Sequence, residues 1–195
     1  MYANKKQEST ARTRALLEQT ARGLFEARGY AAVSSEEIVA QAGVTRGALY
    51  HHYDGKQGLF EAVAEAAMQR LHAHVAEAAG VARDPMDALR IGVRRFLDLA
   101  TAPRLQRVLF VDAPAVMGWH RWRSMDERYG LGLLKQGVEL AMATGQMRGA
   151  SAQLIAHILL SALIEAALLA AHASNKAAAK HDAEEVLMKV LDGFA

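Results

Sequence analysis

The sequence predicts an all-α protein in two helical parts, a helix-turn-helix domain over residues 1–55 and a larger helical domain over 56–195. Three observations carry this. The chain is 52% hydrophobic, rich in Ala and Leu, and has only 3 Pro, a composition that favours helix over sheet. Apolar residues recur at helical spacing along most of its length. Residues 34–56 then read as two short helices folded around a tight turn.

Residues 1–8 form a polar arm, in which Lys5 and Lys6 suit either solvent or the phosphates and minor groove of a nucleic acid. A first helix is expected from Ser9 to Arg28, with Leu16, Leu17, Ala21, Leu24 and Phe25 on one face. Gly29 ends it and Tyr30 packs back. Ser34 and Glu37 make a capping box ahead of Ile38, Val39 and Ala42. Gly43 supplies the positive φ that closes this short helix, and Val44 seals the corner. Thr45 caps a second helix, Arg46 to Tyr53, with Leu49 and Tyr53 inward and Arg46, Tyr50 and His51 outward. A second helix exposing Arg, Tyr and His has the form of a major-groove reader.

A long helix from Lys56 to about Ala79 follows, and it links the two parts mechanically. Asp84-Pro85 is an N-cap with proline at the first helical position, opening a helix to about Ala100. Pro103 opens a short helix through Val111, Pro114 breaks the chain, and a long helix runs from about Val116 to Thr144. Ser151 starts a strongly apolar helix to about His172. A polar stretch, Ala173 to Asp182, precedes a last helix to Leu191. The total is about nine helices, without an internal repeat.

Composition narrows the function classes. Zero Cys removes disulfides and thiolate chemistry and suits a cytoplasmic protein. The polar start is no signal peptide. No apolar run reaches the ~18 residues of a membrane span uninterrupted, since His157, Ser161, Glu165 and His172 punctuate residues 154–173, so no membrane partner is expected. Residues 1–56 carry eight basic and six acidic side chains, and the remainder fifteen of each, so the whole excess of +2 lies with the reader helix. His72 and His74 point about 200° apart on a helix, no Asp or Glu stands three residues before any His, and no phosphate-binding Gly loop or nucleophile elbow occurs. No metal, no cofactor and no enzymatic activity are expected.

The run from Ile38 to Leu59, I-x-x-x-A-G-V-T-R-G-A-L-Y-H-H-Y-x-x-K-x-x-L, resembles the DNA-binding domain of TetR-type transcriptional regulators. The likeness covers roughly residues 9 to 60, with Tyr53 where Phe is usual and Val39 where Ala is usual, both keeping apolar bulk. It implies that Arg46 contacts a guanine edge and that Tyr50, His51 and His52 contact phosphate or base. It implies phosphate contacts for Ser35, Thr45 and Lys56, the last at a helix N-terminus whose dipole favours an anion. Small Gly47 and Ala48 let the helix approach the bases. Double-stranded operator DNA, a small-molecule effector and a second copy of the chain are the implied partners. A repressor released by its effector is the leading function; a ligand-independent DNA-binding or architectural protein of the same fold is the alternative.

For the effector, residues 105–129 concentrate Leu105, Leu109, Phe110, Asp112, Met117, Trp119, Trp122 and Met125 around Pro114, and Asp112 to Trp119 resembles one branch of those regulators. Aromatic and Met side chains with one isolated Asp suit an apolar pocket with a polar anchor; they suit ordinary core equally well. Asp112, expected at the unfavourable C-terminal end of a helix, would take a cationic or hydrogen-bond-donating ligand, held by the Trp rings. His157, Ser161 and Glu165 form one polar stripe that lines the pocket, pairs across a dimer or faces water. The apolar remainder of the last two helices, including Leu154, Ile158, Leu169, Val186 and Leu187, exceeds what one small core needs, and the resemblance implies a four-helix dimer interface there.

Overall fold

The computed structural model describes residues 2–149 and 151–195, with side chains from residue 7 onward. Among the described residues there are nine helices and no strand. They are α1 (Tyr2–Arg28), α2 (Ser35–Ala42), α3 (Arg46–Tyr53), α4 (Lys56–Ala79) and α5 (Pro85–Ala100). Next, α6 joins Pro103–Gln106, a wide π-type turn over Arg107–Asp112, and Ala113–Met117. In the same way α7 joins Trp119–Asp126, a second wide turn over Glu127–Leu131, and Gly132–Ala143. The chain ends with α8 (Ala152–His172) and α9 (Lys176–Asp192).

Four boundaries differ from the sequence reading, each for a local reason. Helix α1 begins at Tyr2, so the expected arm is its first turns; the Lys5 and Lys6 side chains lie outside the described residues. Pro114 does not break the chain, because it follows directly on the wide turn of α6, which accommodates a residue lacking an N–H. The break falls at Gly118, whose φ of 81° ends α6 and starts α7. Helix α9 starts at Lys176 within the expected polar stretch, since Asn175 caps it through the Ala178 N–H.

The caps of the reader pair form much as read. Ser34 Oγ accepts from the Glu37 N–H at 3.1 Å, Gly43 takes φ 67°, and Thr45 Oγ1 accepts from the Ala48 N–H at 3.2 Å. The Glu37 carboxylate turns mainly to Arg28, at 2.5 and 2.7 Å, which holds its pKa below the usual value, with a smaller contribution from the Ser34 backbone. Helix α2 is thereby pinned to the end of α1.

No core boundary falls between residues 55 and 56. One buried cluster runs from Leu17, Phe25 and Ile38 through Leu59, Phe60 and Met68 to Phe96, Trp122 and Leu163. A second, smaller cluster of Met86, Leu89, Val138, Ile155 and Leu191 closes the far end. Helix α4 belongs to both halves of the molecule. Its mean hydropathy of 2.2 makes α8 long and apolar enough to cross a membrane, despite its polar interruptions, but 44% of that window is buried inside the fold. A helix of this kind also serves as the core helix of a bundle.

The junction of α3 with α4 depends on a missing side chain. A Cβ on Gly58 would stand 1.7 Å from the Tyr53 carbonyl oxygen, so the first turn of α4 packs backbone to backbone on the end of α3. Gly58→Ala is expected to lower stability by about 1–3 kcal/mol or more, because the obstacle is main chain and cannot move aside. Thermal or denaturant unfolding measures this, and a fully stable variant would contradict the close approach.

Candidate functional site

The outer face of α3 carries Arg46, Gly47, Tyr50 and His51 exposed, with His52 and Ala48 half-buried beside them. Leu49 and Tyr53 face the core, as the spacing predicted. Arg46 is not idle. Its Nη1 stands 3.3 Å from Glu36 Oε1 on α2, and its guanidinium lies 5.5 Å from the centre of the Tyr50 ring. Both partners of the Arg46–Glu36 pair are mostly exposed, so the pair is worth at most about 1 kcal/mol and yields to a better acceptor. The Tyr50 ring leans over Gly55 in the turn to α4. Ser35 sits half-buried in the first turn of α2, and Thr45 combines its expected position with the capping bond.

Lys56 is placed differently from a freely reaching cation. Its ammonium donates to the Tyr30 and Val33 carbonyls at 3.1 and 2.9 Å and lies 3.9 Å from the centre of the Tyr30 ring. A positive charge at a helix N-terminus opposes the dipole, and these acceptors offset it. The side chain straps α4 to the corner between α1 and α2, with one N–H left for another partner.

Tyr53 does more than keep apolar bulk. Its hydroxyl donates to Glu18 Oε1 at 2.5 Å and accepts from Arg14 Nε at 3.3 Å, tying α3 to α1. Burial, followed by the Glu18 hydrogen bond, pushes its pKa up to about 12.

Asp112 is a correction. Its Oδ2 accepts from the Tyr30 N–H at 2.8 Å, while Arg107 Nη1 donates to the Ala27 carbonyl at 2.8 Å. Both residues flank the wide turn of α6 and close the end of α1. Gly29, at φ 83°, lets them come that near: a Cβ there would be 3.3 Å from Asp112 Oδ2. The Asp112 carboxylate thus accepts from a backbone N–H just beyond α1 and links α6 to the reader domain.

A cavity of about 270 Å³ does exist, but between α4, α5, α7 and α8. Its walls include Val75, Leu89, Phe96, Leu134 and Leu163, with His72 the one ionisable group among the described residues. None of the eleven side chains expected at a ligand lines it. Leu109, Phe110, Trp122 and Met125 are core, and Trp122 Nε1 donates to the Leu109 carbonyl at 2.7 Å. Leu105 packs half-buried against the same core. Trp119 is 50% exposed and rests on Trp122 with ring centres 5.0 Å apart, and Met117 borders a shallow surface groove with His120 and Arg121. Of the α8 stripe, Ser161 and Glu165 are exposed and His157 is half-buried, bonded to Gln153 at 2.9 Å. They share their face with exposed Leu154, Ile158 and Leu169. The cavity escaped notice because small residues make it. Gly92, Gly130 and Gly137 line it, and a Cβ on Gly137 would lie 2.8 Å from Leu89 Cδ2. Glycines within helices, at 92, 130 and 137, were the available signal.

Between cavity and reader runs a polar seam joining α4 to α7. Arg121 grips Glu61 with both nitrogens at 2.8 and 2.5 Å. Arg128 and the Tyr129 hydroxyl both donate to Glu65, and Gln69 donates to Tyr129 at 2.8 Å. Glu61, Glu65, Gln69 and His72 lie one helical turn apart on one face of α4.

Residues 17–63 match the model of bacterial regulatory proteins of the tetR family, and residues 86–194 that of the tetracyclin repressor-like C-terminal domain. The chain is 31% identical to a TetR-family transcriptional regulator from Pectobacterium atrosepticum, with a TM-score of 0.87 over 96% of both chains. It is 25% identical to the transposon Tn10 TetC protein of Escherichia coli, covering 80% of this chain and 79% of that one. It is 32% identical to the regulator TtgR of Pseudomonas putida over 52% of this chain, spanning about half (49%) of that relative. RolR in complex with resorcinol shares the fold, with a TM-score of 0.77 at 20% identity over 97% of this chain and 90% of that one.

Two substitutions separate support from contact. Tyr53→Phe should cost about 0.5–1.5 kcal/mol by losing the Glu18 bond. Because the folded pKa is raised from 10.0 to about 12, the wild-type contribution is complete below pH 10 and is lost as pH rises to about 12; the Phe variant should lack that part of the alkaline decline in stability. Lys56→Ala should lower the melting temperature where Arg46→Ala leaves it nearly unchanged. Unfolding curves from pH 7 to 12 check both.

Proposed function

The chain belongs to the TetR family of bacterial transcriptional regulators, and we propose that it is a cytoplasmic, homodimeric repressor released from operator DNA by a small molecule held in the α4–α5–α7–α8 cavity. The observation that carries this reading is the double membership of α4. Its first residue is strapped to the reader corner, and its residues 72–79 form one wall of the cavity. Anything that moves that wall moves the anchorage of α3.

In the repressor, Arg46 leaves Glu36 for a guanine edge, Gly47 and Ala48 admit the base pair, and Tyr50, His51 and His52 reach phosphate or base. Thr45 and Ser35 meet phosphate near two helix N-termini. Lys56 contributes its remaining N–H to phosphate while holding α4 in place. Two readers must sit one DNA turn apart, which requires a dimer of fixed spacing. The exposed Leu154, Ile158 and Leu169 of α8 with Val186 of α9 form the apolar face that a second copy covers. Leu187, at 3% exposure, belongs to the core instead.

Effector binding shifts a two-state equilibrium by its differential affinity for the two settings of α4. The alternative, a ligand-independent DNA-binding protein of this fold, has no use for an apolar cavity against the connecting helix. A small molecule that fills the cavity and lowers operator affinity supports the repressor reading; one that fills it without effect on DNA binding supports the alternative. Reciprocity adds a control: operator DNA must weaken effector binding by the same factor.

Leu169→Glu, at a position 63% exposed in the single chain, should dissociate the dimer and weaken operator binding together while leaving the fold intact. Sedimentation with parallel DNA titration reads this, and a monomer that binds operator as tightly as wild type would contradict it. Arg46→Ala should cost ~1–3 kcal/mol per half-site and relax base preference. Titrations on operator and random DNA at several salt concentrations measure it; an equal loss on both would remove Arg46 from base readout.

A further inference from the structure

His72 and Asp126 are the unexplained groups of the cavity end. His72, 8% exposed, lines the cavity from α4, and Asp126, 0% exposed, stands behind it on α7. His72 Nε2 is 3.6 Å from Asp126 Oδ1, longer than a hydrogen bond, and among the described residues neither atom has a hydrogen-bond partner; Asp126 Oδ2 has none either. Among the described residues the one Arg or Lys near that carboxylate is Arg123, at 3.9 Å from Oδ2, and it is engaged with Glu127 at 3.1 Å and Ser161 at 3.2 Å. Buried polar groups left unmatched destabilise a fold, so an arrangement that keeps three such atoms in one place has a compensating use. Space for the ring is also set aside: a Cβ on Gly130 would come within 2.7 Å of His72 Cε1 and 3.2 Å of its Nε2.

We propose that the His72–Asp126 pair is the polar subsite of the effector cavity, selecting a neutral, mainly apolar molecule that carries one hydroxyl. This rests on the cavity being the effector site. With Nε2–H directed at the Asp126 carboxylate, the imidazole is fixed as an acceptor on its other nitrogen, and the ligand hydroxyl donates to it. Closing the 3.6 Å gap draws α4 toward α7, along the seam that already joins Glu61 to Arg121 and Glu65 to Arg128. The surrounding walls of Val75, Phe96, Leu134 and Leu163 offer nothing to a charged group. A cavity of about 270 Å³ takes a ligand of roughly a dozen non-hydrogen atoms.

The test is calorimetric titration of the full-length chain with 4-propylphenol, 4-propyltoluene and 4-propylbenzoate, which differ only in the group presented to His72. The phenol should bind at least tenfold more tightly than the toluene, since its hydroxyl donates to His72 Nδ1 and a methyl offers that nitrogen nothing. The benzoate should bind weakest. In His72→Phe the phenol preference should collapse to within about twofold while both neutral compounds still bind. Asp126→Asn should reduce the preference yet leave the unliganded melting temperature equal or higher, because the buried carboxyl oxygens it alters have no hydrogen-bond partner to lose. Equal binding of phenol and toluene to wild type, binding of none, or a phenol preference that survives in His72→Phe would overturn the subsite. A lowered melting temperature in Asp126→Asn with unchanged preference would overturn it too, by making the pair structural. Phenol selectivity that persists with no effect on operator binding would sustain the subsite and refute the repressor reading instead.

Discussion

The close approach of α4 to α3 is the constraint on which the rest of the structure depends. Gly58 lays the first turn of α4 against the Tyr53 carbonyl, and Lys56 ties the same turn to the Tyr30 and Val33 carbonyls. A helix of eight residues has too few turns to be stable alone, so α3 takes its orientation from these neighbours. Its outer face can then remain polar and exposed. The Tyr53 hydroxyl on Glu18 and Arg14 completes the frame from the opposite side, through α1.

Because α4 is continuous to Ala79, a rigid reader frame has a mechanical consequence. The helix meets α7 along Glu61, Glu65, Gln69 and His72, with charged and hydrogen-bonded partners at nearly every turn. It also packs directly on α6 through the shared core, beside the place where Asp112 and Arg107 close the end of α1. The reader therefore has two points of attachment to the larger domain. The seam along α7 passes directly by the cavity, and the α1–α6 contact does not.

The reader half was legible in the residues because local rules govern it. Ser34, Gly43 and Thr45 act through bonds to residues three or four positions away, and spacing alone places Leu49 inward and Arg46 outward. The pocket half stayed open between two readings for the opposite reason. Aromatic and Met side chains around Pro114 look the same whether they line a void or fill one, and here Trp122, Phe110 and Leu109 fill it. The real cavity owes its existence to Gly92, Gly130 and Gly137, whose absent side chains carry no pattern of their own.

The sequence by itself determined the helical class and the caps and faces of the reader pair, since helical periodicity and capping are properties of neighbouring residues; the candidate DNA-contacting residues came from the resemblance. Only the tertiary structure decided that Lys56 is a strap, that Asp112 holds the end of α1, that Leu187 is core while Leu169 is exposed, and that His72 meets Asp126 unpartnered. Each of those depends on a contact between residues far apart in the chain. Which groups meet there is set by how whole helices cross, and no local spacing encodes that.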